Sequence, residues 1–165
     1  GRKALRVRDT AAATRQHFVG LDYFPIDPQW RIEARWLPYE RARMVPLTNI
    51  LGQPEMTLFP GRAAFEHDGR TYEILAIDEG EPDTLFFVIS DATSGRETYG
   101  AARFLYAPRP KGDTILLDFN LLYNPPCAFT AFATCPLPPR ENRLPFAIPA
   151  GEKNYRGQHG TGGNH

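Results

Sequence analysis

Residues 62–77 read Arg62-Ala63-Ala64-Phe65-Glu66-His67-Asp68-Gly69-Arg70-Thr71-Tyr72-Glu73-Ile74-Leu75-Ala76-Ile77. Two largely apolar runs flank Asp68-Gly69, a dipeptide that tolerates the positive φ angles needed at both centres of a tight hairpin turn. Strands are therefore expected at 62–67 and 70–77, paired antiparallel. The same pattern recurs outward in both directions. Residues 31–37 alternate Ile32, Ala34 and Trp36 with Arg31, Glu33 and Arg35, giving one dry face and one wet face. Strands at 44–51 and 55–59 follow. Residues 84–90 hold five successive apolar positions, Leu85 to Ile89, and read as a central strand covered on both sides. After a polar loop at 91–96, residues 98–106 and 114–120 complete the set.

Proline (16) and glycine (14) break the chain into short pieces, and no window sustains a helical apolar stripe over three turns. One short helix is expected at 11–18, with Asp9 and Thr10 as cap candidates and Gly20 as its stop. About eight strands joined by short polar turns imply an all-β chain, an antiparallel meander that closes into a barrel or, alternatively, folds as a sandwich. Seven prolines fall between Pro125 and Pro149, each removing a backbone donor that a sheet needs. Residues 121–153 nevertheless carry Tyr123, Phe129, Phe132, Leu137, Leu144, Phe146 and Ile148, so they are expected to form an ordered, extended, proline-rich strap across the barrel. At 165 residues the chain suits a single domain, taken as 1–156, with 157–165 as a flexible tail. Hydrophobic residues at 42% and charged residues at 23% exclude a disordered chain.

The 19 basic and 19 acidic side chains cancel, removing the long-range field that gathers nucleic acid or an anionic membrane, and neither partner is expected. The distribution is uneven: residues 44–97 hold three basic and ten acidic groups, against nine and five before them and seven and four after. No apolar run approaches the ~20 residues that span a bilayer. Aromatic residues Tyr23, Phe24, Trp30 and Trp36 lie among arginines, but the alternation turns Trp36 away from Arg35, which favours packing over base stacking. A cytoplasmic location is expected, or an extracytoplasmic one if a signal segment has been removed, since the chain begins at Gly1 without an initiator Met.

Chemistry has few candidates. Arg103 shares a strand face with Tyr99, Ala101 and Leu105, while Leu116, Asp118 and Asn120 share a face of residues 114–120. A charge on an apolar face needs a mate, and Arg103 with Asp118 is the obvious pair. It serves either as a structural anchor or as the polar floor of a ligand pocket, with Tyr123, Cys127 and Asn142 as its roof. Arg's planar fork suits a carboxylate or phosphate ligand as well as it suits Asp118. Asp91 with Thr93, Ser94 and Gly95 reads as a turn. Cys127 and Cys135 admit three readings: a disulfide closing a short loop, two reduced packing thiols, or a nucleophile or metal site. Zinc would require two further ligands, and no histidine lies at short spacing from either cysteine, so no metal or cofactor is expected. No phosphate loop, Gly-x-Ser-x-Gly elbow or His-Glu-x-x-His motif occurs.

The series Asp91-Ala92-Thr93-Ser94-Gly95, Glu97-Thr98-Tyr99-Gly100, Leu117-Asp118-Phe119-Asn120 and Tyr123-Asn124-Pro125-Pro126-Cys127-Ala128-Phe129 resembles the domain of unknown function 1684 family. The likeness continues through Thr134-Cys135-Pro136-Leu137-Pro138-Pro139 and Glu141-Asn142-Arg143-Leu144-Pro145 to Ala150-Gly151-Glu152. The resemblance implies no agreed activity. It also implies that a family N-terminal portion precedes Leu5-Arg6-Val7-Arg8-Asp9, so a sheet edge is expected to be covered by that segment or by a second copy of the chain. Two functions follow. One is a β-barrel binding a small polar or anionic ligand, with hydrolysis as an extension, built on Arg103, Asp118, Asn120, Tyr123, Cys127 and Asn142. The other is a non-catalytic structural or protein-interaction module. The sequence leans to binding, because Asp118 and Asn120 offer acceptors and donors together on one face.

Overall fold

A computed structural model describes residues 9–157, which form six strands: β1 (Arg31–Thr48), β2 (Pro54–His67), β3 (Arg70–Ala76), β4 (Thr84–Ile89), β5 (Arg103–Pro108) and β6 (Thr114–Asp118). The expected tail at 157–165, Gly157 apart, and the stretch Leu5 to Arg8 lie outside the described residues. The fold is all-β, as the patterning implied: a curled antiparallel sheet in the order β3-β2-β1-β6 makes a half-barrel, and β4-β5 makes a second, smaller sheet. The Asp68-Gly69 turn takes positive φ at both positions, 48° and 71°, and pairs Phe65 with Tyr72 across the hairpin.

Four expected strands merge into two. Residues 31–37 and the first part of 44–51, up to Thr48, form the single strand β1, Asn49 to Leu51 turning away, and 55–59 joins 62–67 in β2. The ladder runs from Arg35↔Ala64 to Pro38↔Gly61, then resumes at Arg43↔Phe59. Four residues of β1 thus face Pro60 alone. Pro38 and Pro60 supply no N–H, so the ladder opens there and the strand bulges without ending. The remaining strands are shorter than expected. Residues 98–102 belong to the loop before β5, and Phe119 and Asn120 turn into a 3-10 helix (Phe119–Leu121) capped by Asp118. The expected helix shrinks to α1 (Ala13–Gln16), whose residues bury nothing, so no packing extends it.

Every strand sends one face to a shared interior. Ala34 and Trp36 of β1, Ala63 and Phe65 of β2, and Ile74 and Ala76 of β3 meet Leu85, Phe87 and Ile89 of β4, Leu105 and Ala107 of β5, and Ile115 and Leu117 of β6. A second cluster lies on the other face of the small sheet, where Phe86, Val88 and Phe104 pack with Leu47, Phe59 and Cys135. The five apolar residues of β4 are therefore divided between two cores, which accounts for their covering on both faces. Residues 121–153 contain no strand; 3-10 turns at Pro126–Ala128 and Arg140–Asn142 and isolated bridges at Asn49↔Pro136 and Ser90↔Arg143 attach them to the sheets.

Candidate functional site

Arg103 is fully buried. It shares a strand face with Leu105 and Ala107, so its side chain enters the interior, whereas Asp118 lies on the face opposite Ile115 and Leu117 and faces outward. The expected Arg103–Asp118 pair is therefore absent, and the mate is Asp91, at 2.9 Å from Nη2 with both side chains 1% exposed. Nη2 also donates to the Ile148 carbonyl at 2.9 Å, and Nη1 donates to the carbonyls of Ala150 and Glu152. Burial pulls the guanidinium below its ordinary pKa, and Asp91 opposes that shift. Asp91 Oδ1 accepts from Thr93 N–H at 2.8 Å, Thr93 Oγ1 at 2.7 Å and Ile148 N–H at 3.2 Å. Asp91 is thus both the turn residue that the sequence indicated and the counter-ion that it did not. The pair ties the 91–98 loop to the chain's last extended segment.

The two asparagines behave as detached peptide groups. Asn142, fully buried, accepts from Leu75 N–H at 2.7 Å and donates to the carbonyls of Leu75 and Val88, each at 3.0 Å. It bridges β3 and β4, whose direct pairing is confined to the Ile77↔Phe86 bridge. Asn120 accepts from Asp27 N–H at 3.0 Å and donates to the Asp27 carbonyl at 2.9 Å, with Asp118 Oδ1 receiving its own N–H and side-chain N–H. Asp118 lies 3.7 Å from the exposed Arg31. Tyr123 bonds through its backbone to Phe104 and stacks on Tyr106, and burial pushes its phenol up to about 12. Cys127 accepts at its carbonyl from the Tyr99 hydroxyl, 3.1 Å away. Tyr123 and Cys127 share one cluster, but Arg103, Asn142 and the Asp118–Asn120 pair sit elsewhere, and the six candidate residues do not line one cavity.

A cleft of about 430 Å³ opens where the distal half of the β1–β2 hairpin, the turn after β3 and the proline-rich segment meet the outer face of β4. Met44, Met56, Leu58, Ile77 and Phe86 give it apolar walls, and Glu55, Asp78 and Glu79 stand on them. Thr134 and Pro136 close one side. Leu137 N–H donates to the Thr48 carbonyl and Ile50 N–H to that of Cys135, both at 2.9 Å, which hold that side against the hairpin. Asp78 is engaged by Arg109 at 2.7 Å, and that hydrogen-bonded ion pair keeps its carboxyl below the usual range. Glu79 accepts from the Tyr106 hydroxyl at 2.8 Å, which, with burial, drives that phenol's pKa upward. None of the three acids was singled out by motif, whereas Thr134 and Pro136 fall in a stretch of the family resemblance. The signal that marks the acids is the acidic surplus of residues 44–97, in which all three fall. Among the described residues, no three of His, Cys, Asp or Glu gather in a way that would hold a metal ion, and no helix is long and apolar enough to cross a membrane.

A family model described as "Protein of unknown function (DUF1684)" matches residues 16–153. The solution NMR structure of an uncharacterized protein from Haloarcula marismortui is 34% identical, with a TM-score of 0.69 over 84% of this chain and 78% of that one. No curated protein matches.

Proposed function

Given that the chain belongs to the DUF1684 family of proteins of unknown function, we propose that it is a non-catalytic binding module whose cleft takes a peptide segment carrying a basic side chain beside an apolar one. The observation that carries this is three carboxylates, Glu55, Asp78 and Glu79, gathered on one cleft beside Met44, Met56 and Phe86, with Arg109 just beyond β5 offsetting Asp78 alone. Acidic groups set beside apolar side chains in a concavity of this volume suit a ligand that is part charged and part apolar, and the charge selects a cation. The anionic-ligand reading has less support. The Arg103 Nη groups and the Asn142 amide already donate to Asp91 and to carbonyls, and neither residue lines the cleft. A hydrolytic role has less support, since among the described residues no hydroxyl lining the cleft is hydrogen-bonded to a carboxylate or an imidazole.

Titrating short peptides that alternate Arg or Lys with Leu into the isotopically labelled chain tests the proposal. Shifts of backbone resonances are expected at Glu55, Thr57, Asp78 and Phe86, and Glu55→Gln with Glu79→Gln together should weaken binding at least ~10-fold, as loss of two charge-assisted contacts implies. Neutral or acidic peptides binding equally well would overturn it. So would shifts that cluster around Arg103 in response to carboxylates, which would restore the anionic reading.

A further inference from the structure

Both cysteines lie in the proline-rich segment, on the outer face of the small sheet. Cys127 is half-buried in the 3-10 turn Pro126–Ala128, while Cys135 is 5% exposed and packs in the cluster of Leu47, Phe59 and Phe104. Both are thiols. Cys127 N–H donates to Cys135 Sγ at 3.3 Å. The Cys127 sulfur is three bonds from that same nitrogen, which sets the two thiols beside each other. The Tyr99 hydroxyl holds the Cys127 carbonyl in place.

We propose that Cys127 and Cys135 form a redox-modifiable dithiol, converted to an intrachain disulfide by exchange with a low-molecular-weight disulfide of the glutathione class. Access orders the steps. The thiolate of the more exposed Cys127 attacks one sulfur of the small disulfide; that S–S bond breaks, a mixed disulfide forms, and one small thiolate leaves and takes up a proton. Cys135 then loses its proton to solvent and attacks Cys127 Sγ; the mixed bond breaks and the second small thiol leaves. The protein loses two protons and two electrons, and the small disulfide gains them to become two thiols. Burial pushes the Cys135 thiol up to about 12, which makes ring closure the slow step. Thr134 and Pro136 flank Cys135 and line the cleft, so the crosslink stiffens one of its walls, but the exchange chemistry does not depend on any cleft ligand.

The test incubates the native chain with oxidised glutathione, blocks remaining thiols with an alkylating agent and maps the products by mass spectrometry. Both alkylation sites should vanish together, with a recovered 127–135 crosslink and a thermal midpoint raised by roughly 5–10 °C, reversed by dithiothreitol. Cys135→Ser should accumulate a single glutathione adduct on Cys127, whereas Cys127→Ser should resist modification. A stable adduct on Cys127 of the native chain without crosslinking would overturn the assignment, as would an interchain disulfide or two thiols still alkylated after prolonged exposure to excess oxidant. The native-chain measurement decides alone if either serine variant fails to fold.

Discussion

Arg103 carries a full charge into the barrel interior, where an unpaired ion would cost several kcal/mol. Asp91 and three backbone carbonyls make the position tenable, and they also make it expensive to disturb. Arg103→Met should strand the Asp91 carboxylate and cost about 3–5 kcal/mol in urea unfolding. Asp118→Ala removes a half-buried cap and a long contact to Arg31, and should cost about 1 kcal/mol. Because Arg103 points into the shared interior and Asp118 away from it, their losses should add, whereas Arg103→Met with Asp91→Asn should fall short of additivity. Measurable coupling between positions 103 and 118 would contradict the placement of Asp118.

Among the elements, the β1–β2 pair asks most of its sequence. It is long enough to serve the barrel at one end and the cleft at the other, and it changes course at the bulge between Pro38 and Arg43. Gly61 sits opposite Pro38 at that point. A Cβ there would stand 2.6 Å from the Leu37 carbonyl oxygen, 2.7 Å from the Trp36 ring and 2.9 Å from the Pro38 Cα. Two of those neighbours are backbone and cannot swing away. Gly69 differs: its φ of 71° is strained for a side chain, but nothing lies within 4 Å. Gly69→Ala should therefore cost about 1–2 kcal/mol, the price of a left-handed residue, while Gly61→Ala should cost more, about 3 kcal/mol, because strain is added in the packed sheet. Thermal unfolding of the two variants compares them directly, and the reverse order would show that the bulge yields more readily than the turn.

At the scale of the whole molecule, two sheets must be joined along a seam where β3 and β4 share only the Ile77↔Phe86 bridge. The Asn142 amide supplies at Leu75 and Val88 the acceptor and the two donors that a neighbouring strand would have offered. Asn142→Ala should leave those buried groups unpaired, at about 1–3 kcal/mol for each. Hydrogen exchange at Leu75 N–H should accelerate while exchange in the β1–β2 ladder away from the seam changes less. Equal acceleration in both would mean that the seam does not open separately. Much of this architecture was legible in advance because it rests on local rules. The Asp68-Gly69 turn, the alternation of residues 31–37 and the unbroken apolar run of β4 depend on dihedral preference and on the period of two, which neighbours along the chain express by themselves. The merging of strands was less legible, since a proline can end a strand or merely bulge it, and the partner strand decides which. The polar contacts were least legible. Alternation places Arg103 and Asp118 on defined faces, but which faces meet depends on how the sheet curls. That curl turns Arg103 toward Asp91, leaves Asp118 outside, and brings Glu55 together with Asp78 and Glu79 around the cleft. A hydrogen bond requires atoms within about 3 Å, and between residues far apart in the chain only the closed fold sets distances that short.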